Sequence, residues 1–191
     1  MPIENLLSAP AFENAEHLNS ESKTYNIKFA PLPLANYYVV TSGKNANLLG
    51  EKSLKTLRNP EVETPVLSQD AFFYQLATVS RAGLMGPPRS YGFCTADNEA
   101  KSGRCRATFD APMTENTTIT FELTRHTPAG IQELVSTRKL QSRHGQFTIE
   151  GLPSGHYNWS MSYITTRDGS PHTLTKQSGV FELITLTTAT P

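Results

Sequence analysis

The same order of parts occurs twice along the chain, and this repetition restricts the fold more than any other feature. In "AFFYQLATVSRAGLMGPPRSYGF" (71–93) and in "GHYNWSMSYITTRDGSPHTLTKQSGVFEL" (155–183), large residues alternate with small or polar ones, then come a glycine-containing turn, a proline and a last apolar run. Phe72, Tyr74 and Leu76 correspond in this way to Tyr157, Trp159 and Met161. Upstream, "YNIKFAP" (25–31) matches "CRATFDAP" (105–112), and "NYYVVTSG" matches "TTITFELTR" as period-2 segments. Period 2 is the signature of half-buried strands. No segment of helical length carries a convincing 3.6-residue period; "GIQELVSTRKLQS" comes nearest, and its threonine and serine favour a strand. Of 23 threonines, 17 lie after Thr95, which makes the C-terminal half almost purely β by expectation.

Short strands at this spacing, punctuated by Gly, Pro and Asn turns, predict an antiparallel sandwich. With 191 residues, two domains of ordinary size fit the chain, joined through the short polar segment 94–104. The expected ends of order lie near residues 9 and 186.

These residues resemble the fibronectin type III family. "FAP" and "FDAP" stand at the end of the second strand, where that family usually has Trp before Pro. "LPSGHY" is similar to its Leu-x-Pro-Gly-x-Tyr corner, and "YQLATVSRAGLMGPP" to its sixth strand and following turn. Phe29 and Phe109 replace the usual Trp, and Phe72 replaces the corner Tyr in the first copy. The resemblance implies an all-β chain of two tandem seven-stranded antiparallel sandwiches, fibronectin type III or immunoglobulin-like, over 8–93 and 94–185. Strand alternation then turns Tyr157, Trp159 and Met161 to the core and His156, Asn158 and Ser160 outward.

Charge excludes some partners. Seventeen basic and seventeen acidic residues cancel, with no basic stripe, so neither nucleic acid nor an anionic membrane is an expected partner. No run approaches the length of a membrane span, which makes the chain soluble by expectation. The start, "MPIENLLSAPAFENAEHLNSES", lacks the basic and apolar regions of a signal peptide, leaving either cytoplasmic synthesis or a piece of an exported protein. Extracellular, cell-envelope or virion locations are favoured over the cytoplasm.

Chemistry-bearing residues are sparse. Cys94 and Cys105 flank a polar loop at a spacing that suits a disulfide or two reduced thiols equally. Zinc is disfavoured because His126 follows no ligand spacing. The five histidines, His17, His126, His144, His156 and His172, sit in five segments, with His156 and His172 expected near one end of the second domain. Glu61 and Glu63 form the one tight carboxylate pair, in a proline-bracketed loop where solvated charge is the default. Asp97, Asn98 and Glu99 offer oxygen ligands without an EF-hand spacing. "TSGKN" (41–45) lacks the full phosphate-loop pattern, and "TTRDGSP" (165–171) places Arg167, Asp168 and Gly169 in an order that reads as a hairpin turn, not an Arg-Gly-Asp motif. Asn116 and Asn158 begin glycosylation sequons.

No catalytic constellation, metal or cofactor is therefore expected. The leading expectation is a non-catalytic structural or binding module that spaces or presents a protein-interaction surface within a larger surface, envelope or virion assembly. Its partner would be another protein or a second copy. The candidate surface residues are Tyr37, Tyr38, Tyr91, His156, Arg167 and Asp168. Of the consecutive tyrosines, alternation lets only one face the core. The alternative is an accessory carbohydrate-binding module using the outward tyrosines, and a hydrolase built on the glutamates or histidines is the third reading.

Overall fold

Alternation in the sequence becomes alternation in burial in a computed structural model that describes residues 8–18, 21–48, 52–95, 104–111, 117–141 and 145–186. The strands in order are β1 (Phe12–His17), β2 (Tyr25–Phe29), β3 (Ala35–Gly43), β4 (Lys52–Leu57), β5 (Glu61–Glu63), β6 (Phe72–Ser80) and β7 (Arg89–Thr95). They are followed by β8 (Cys105–Asp110), β9 (Thr117–His126), β10 (Gln132–Gln141), β11 (Gln146–Leu152), β12 (Gly155–Arg167) and β13 (Ser170–Leu186). No helix occurs among the described residues. The chain is all-β, as the sequence predicts, and its sheets pack in the manner of a sandwich.

One sheet runs through the whole molecule in the order β10-β9-β12-β13-β7-β6-β3-β4. A three-stranded sheet, β1-β2-β5, and a two-stranded sheet, β11-β8, cover parts of it. Neighbouring residues of a strand point to opposite faces, and the two covers exploit this. Tyr74, Tyr91 and Phe93 pack with Tyr25, Ile27 and Phe29 in one core. Phe73, Cys94 and Leu183 pack with Phe109, Phe121, Phe147 and Trp159 in the other. The residues β6 and β7 give to one core thus alternate with those they give to the other. The two covers therefore lie on opposite faces of a single sheet.

The seam is the parallel pairing of β7 with the end of β13, over Tyr91–Thr95 and Glu182–Leu186. A boundary between residues 93 and 94 falls inside β7, whose hydrogen bonds serve both halves. The expected polar join is corrected at its start: Cys94 and Thr95 are strand residues with 0% and 1% exposure. Among the described residues the C-terminal half contributes β8 to β13, and β7 lies beside β13 as an added strand.

Further contacts bind the halves. The outer edge of β8, which would otherwise be open to pairing, is met by first-half backbone: Ala46 N–H donates to Thr108 O at 2.8 Å and Ala71 N–H to Arg106 O at 2.8 Å. Asn47 exchanges bonds with the Asp110 backbone, donating to its carbonyl at 2.6 Å and accepting from its N–H at 3.0 Å. Cys94 and Cys105 are joined by a disulfide, tying the end of β7 to the start of β8 inside the second core. Within "GIQELVSTRKLQS", Gln132–Gln141 form strand β10, with a bulge between Leu134 and Ser136. "RNPEVETP" contains the three-residue strand β5 where a loop was expected.

Candidate functional site

The long strand β12 organises the best-defined surface of the molecule. Its odd positions Tyr157, Trp159, Met161 and Tyr163 are in the second core, and the turn before it is locked by Tyr157 Oη–H, which donates to Pro153 O at 2.5 Å. This is a tyrosine corner in the physical sense: the ring is buried while the hydroxyl fixes the crossover between sheets. In the first half, Phe72 stands at the equivalent place, and Tyr74 donates to Glu63 O at 3.5 Å instead.

Burial sets the tyrosine acidities. Desolvation pushes the Tyr157 hydroxyl up to about 12 against the pull of Arg125 and Arg104, and it also raises Tyr25, Tyr74, Tyr91 and Tyr163. A hydroxyl whose acidity is weakened in the folded state stabilises the fold fully below the ordinary value of 10.0. That stabilisation is lost as pH rises through the folded value. Stability measured by urea unfolding is expected to fall steadily above about pH 10, and Tyr157→Phe is expected to flatten that decline while lowering stability at pH 7 by about 1 kcal/mol. An identical alkaline slope in the variant would refute this assignment.

The outward positions of β12 form rows with their neighbours. Register places Gln132, His126, His156 and Glu182 side by side across β10, β9, β12 and β13. Asn158 Nδ2 lies 2.7 Å from His126 Nε2. Glu182 pairs with Arg89 at 3.1 Å, and the Arg89 guanidinium stands 5.1 Å from the Tyr91 ring centroid. Arg89, His126, His156, Asn158 and Glu182 line a shallow groove of about 390 Å³. The arrangement offers hydrogen bonds and charges of both signs on a flat sheet face, the chemistry of a polar contact surface.

The six candidate surface residues divide. His156, Arg167 and Asp168 are exposed and Tyr37 is half-buried. Tyr38 is buried and its hydroxyl accepts from Leu32 N–H at 2.8 Å, so of the consecutive tyrosines Tyr37 is the outer one. Tyr91 is corrected from surface to core: it is fully buried and donates to Pro10 O at 2.9 Å, because β7 is covered by the β1-β2-β5 sheet. Arg167 and Asp168 occupy the tip of the β12–β13 hairpin, where Asp168 and Gly169 have φ of 51° and 79°. Positive φ at both central residues is the turn that matches strand twist.

The histidine expectation is also corrected. His156 pairs with Glu182 and His172 with Thr165, which sets them at opposite ends of the hairpin. The neighbour of His156 is His126, 30 residues upstream by number and directly opposite in register. His17 packs on Tyr25 with ring centroids 4.3 Å apart, and His144 lies outside the described residues. Glu61 and Glu63 share an exposed face of β5 beside a groove of about 430 Å³, without the apolar enclosure a glycosidic general acid needs. Asp97, Asn98, Glu99 and Asn116 lie outside the described residues. Among the described residues no cluster of His, Cys, Asp or Glu is arranged to hold a metal ion, and no helix is long and apolar enough to cross a membrane.

Arg89 and Glu182 were not singled out by sequence, and His126 was named there only as a histidine without ligand spacing. Only the strand register brings them together, and local periodicity does not carry it.

Comparison with known proteins leaves the family open. No family model matches the chain, and no curated protein matches it. Among solved structures it is similar to a two-domain fibronectin type III segment of chicken tenascin, at 12% identity over 92% of this chain and 99% of that one, with a TM-score of 0.31. It is similar also to the central fibronectin-III array of RIM-binding protein, at 15% identity over 95% and 72%, with a TM-score of 0.29. The FN1–FN3 domains of chicken CNTN1 are a third such structure, at 11% identity over 93% and 67%, with a TM-score of 0.30.

Proposed function

We propose that the chain is a non-catalytic module that holds two sandwich units, 8–93 and 94–185, in one fixed orientation and presents a protein-interaction surface. The observation that supports this reading is the shared sheet: β7 closes the first unit and pairs in parallel with β13 of the second. A flexible linker lets domains reorient, whereas a common strand, buried on both faces, does not. The surface it presents is the outward row of His126, His156 and Glu182, together with Arg89 and the hairpin tip at Arg167 and Asp168. Its partner is another protein or a second copy of the chain. The buried disulfide supports an oxidising compartment, consistent with a place in a larger surface, envelope or virion assembly.

The test is whether the units unfold together. Trp159 fluorescence reports the C-terminal half and methyl resonances of Val40 and Leu76 report the N-terminal half. Coincident urea transitions are expected. Two separated transitions would show independent beads and remove the fixed-spacer reading.

A further inference from the structure

Below the point where β7 joins β13, the two strands diverge. Their pairing begins at Glu182, so β13 residues Lys176–Val180 have no strand beside them on that side among the described residues. The gap is a groove of about 640 Å³ with this stretch of β13 as one wall and Gln75, Pro88 and Ser90 on the other. A volume of this size at a junction of units is typical of a ligand site.

The lining mixes apolar residues, among them Ala46, Leu48, Pro88 and Val180, with uncharged polar ones. Gln75, Ser90, Gln177 and Ser178 supply carboxamides and hydroxyls, and Lys176 is the one ionisable residue among the described residues that line it. Backbone groups along the free side of β13 add donors and acceptors. Trp159 is the aromatic element of the lining. It is 9% exposed, and its Nε1–H has no hydrogen-bond partner among the described residues, although it is not sealed from solvent. A nearly buried indole N–H ordinarily finds a partner. Residue 179 keeps this one reachable: a Cβ on Gly179 would lie 2.7 Å from Nε1, so only glycine leaves the indole uncovered there.

Uncharged donors and acceptors beside a reachable indole, interspersed with apolar surface and with Lys176 as the one charge, complement the hydroxyl groups and apolar faces of a sugar ring. We propose that this groove is a glycan-binding site for an uncharged oligosaccharide, one sugar lying against Trp159 and bonding its Nε1–H, Gln75 and Gln177. The site uses none of the tyrosines from which a carbohydrate role was first expected, and it shares only Ser90 and Val180 with the groove of the presented row.

Trp159 is the sole tryptophan of the chain, so it reports occupancy directly. The full chain is titrated with cellohexaose, xylohexaose and mannohexaose while tryptophan emission and the indole N–H resonance are followed. At least one saccharide is expected to give a saturable emission change and to move that resonance at millimolar concentration or below. Gln177→Ala is expected to weaken binding about fivefold, the effect of one lost hydrogen bond, while Thr124→Ala on the outward face leaves it unchanged. Gln75→Ala, on the opposite wall, gives the same reading if Gln177→Ala does not fold. Silence of both signals with all three saccharides would overturn the proposal, as would binding that both wall variants leave intact. Coincident unfolding of the two units is unaffected by either result, so the spacer reading stands or falls separately.

Discussion

Phe109→Ala is expected to destabilise the protein by about 3–5 kcal/mol, the range for removing a large aromatic side chain from a close-packed core. Phe109 is fully buried and holds the two-stranded cover onto the long sheet. Its ring centroid lies 4.8 Å from that of Phe121, 5.5 Å from Phe147, 6.0 Å from Trp159 and 6.3 Å from Phe181, so one truncation removes four ring contacts. These partners come from β9, β11, β12 and β13, and no single shift of one strand can refill the space. Urea unfolding followed by Trp159 emission is the measurement, with an unchanged dependence on denaturant as the sign of intact cooperativity. Leu54→Ala, at a side chain 70% exposed, is expected to change stability by less than about 0.5 kcal/mol. A loss below about 1.5 kcal/mol for Phe109→Ala would show that the cover is not anchored through this ring.

Opening the disulfide has the second largest expected effect. Cys94 and Cys105 are separated by 11 residues and are both fully buried. Closing a loop of that length removes unfolded-state entropy equivalent to about 3 kcal/mol. The double replacement Cys94→Ala and Cys105→Ala is therefore expected to cost about 2–4 kcal/mol and to lower the melting temperature by several degrees. Burial also shields the sulfur atoms, so dithiothreitol is expected to reduce the native protein far more slowly than the urea-unfolded chain. Equal rates of thiol release from the two states, or a double variant as stable as the parent, would contradict this account.

Much of this architecture is legible in short-range pattern. Tyr157, Trp159 and Met161 face the core because period 2 leaves them no other choice, and Asp168-Gly169 makes the hairpin because so few residues accept two positive φ values. The shared sheet was less visible. Its pairing joins Tyr91–Thr95 to Glu182–Leu186, segments about ninety residues apart, and the internal repeat invites a reading as separate beads. One local signal was nonetheless present. The end of β13, "VFELITL", places apolar residues on both faces, Leu183 in one core and Ile184 and Leu186 against the other. A strand buried on both sides loses clean alternation. The neighbouring histidines and the Arg89–Glu182 pair had no such trace, because side chains meeting across strands depend on register alone.

The placement of Leu186 has a consequence for synthesis. It packs with Tyr25, Phe29 and Tyr91, the core built by the N-terminal half, yet it is the last residue of the final strand. A chain emerging from the ribosome therefore carries an incompletely sealed first core until β13 has been made. During that interval the apolar side of β7 next to Phe93 is open to the wrong neighbour, the kind of exposure that chaperones recognise. Strand β13 acts as a latch: its arrival, and not the completion of the first repeat, ends the vulnerable period.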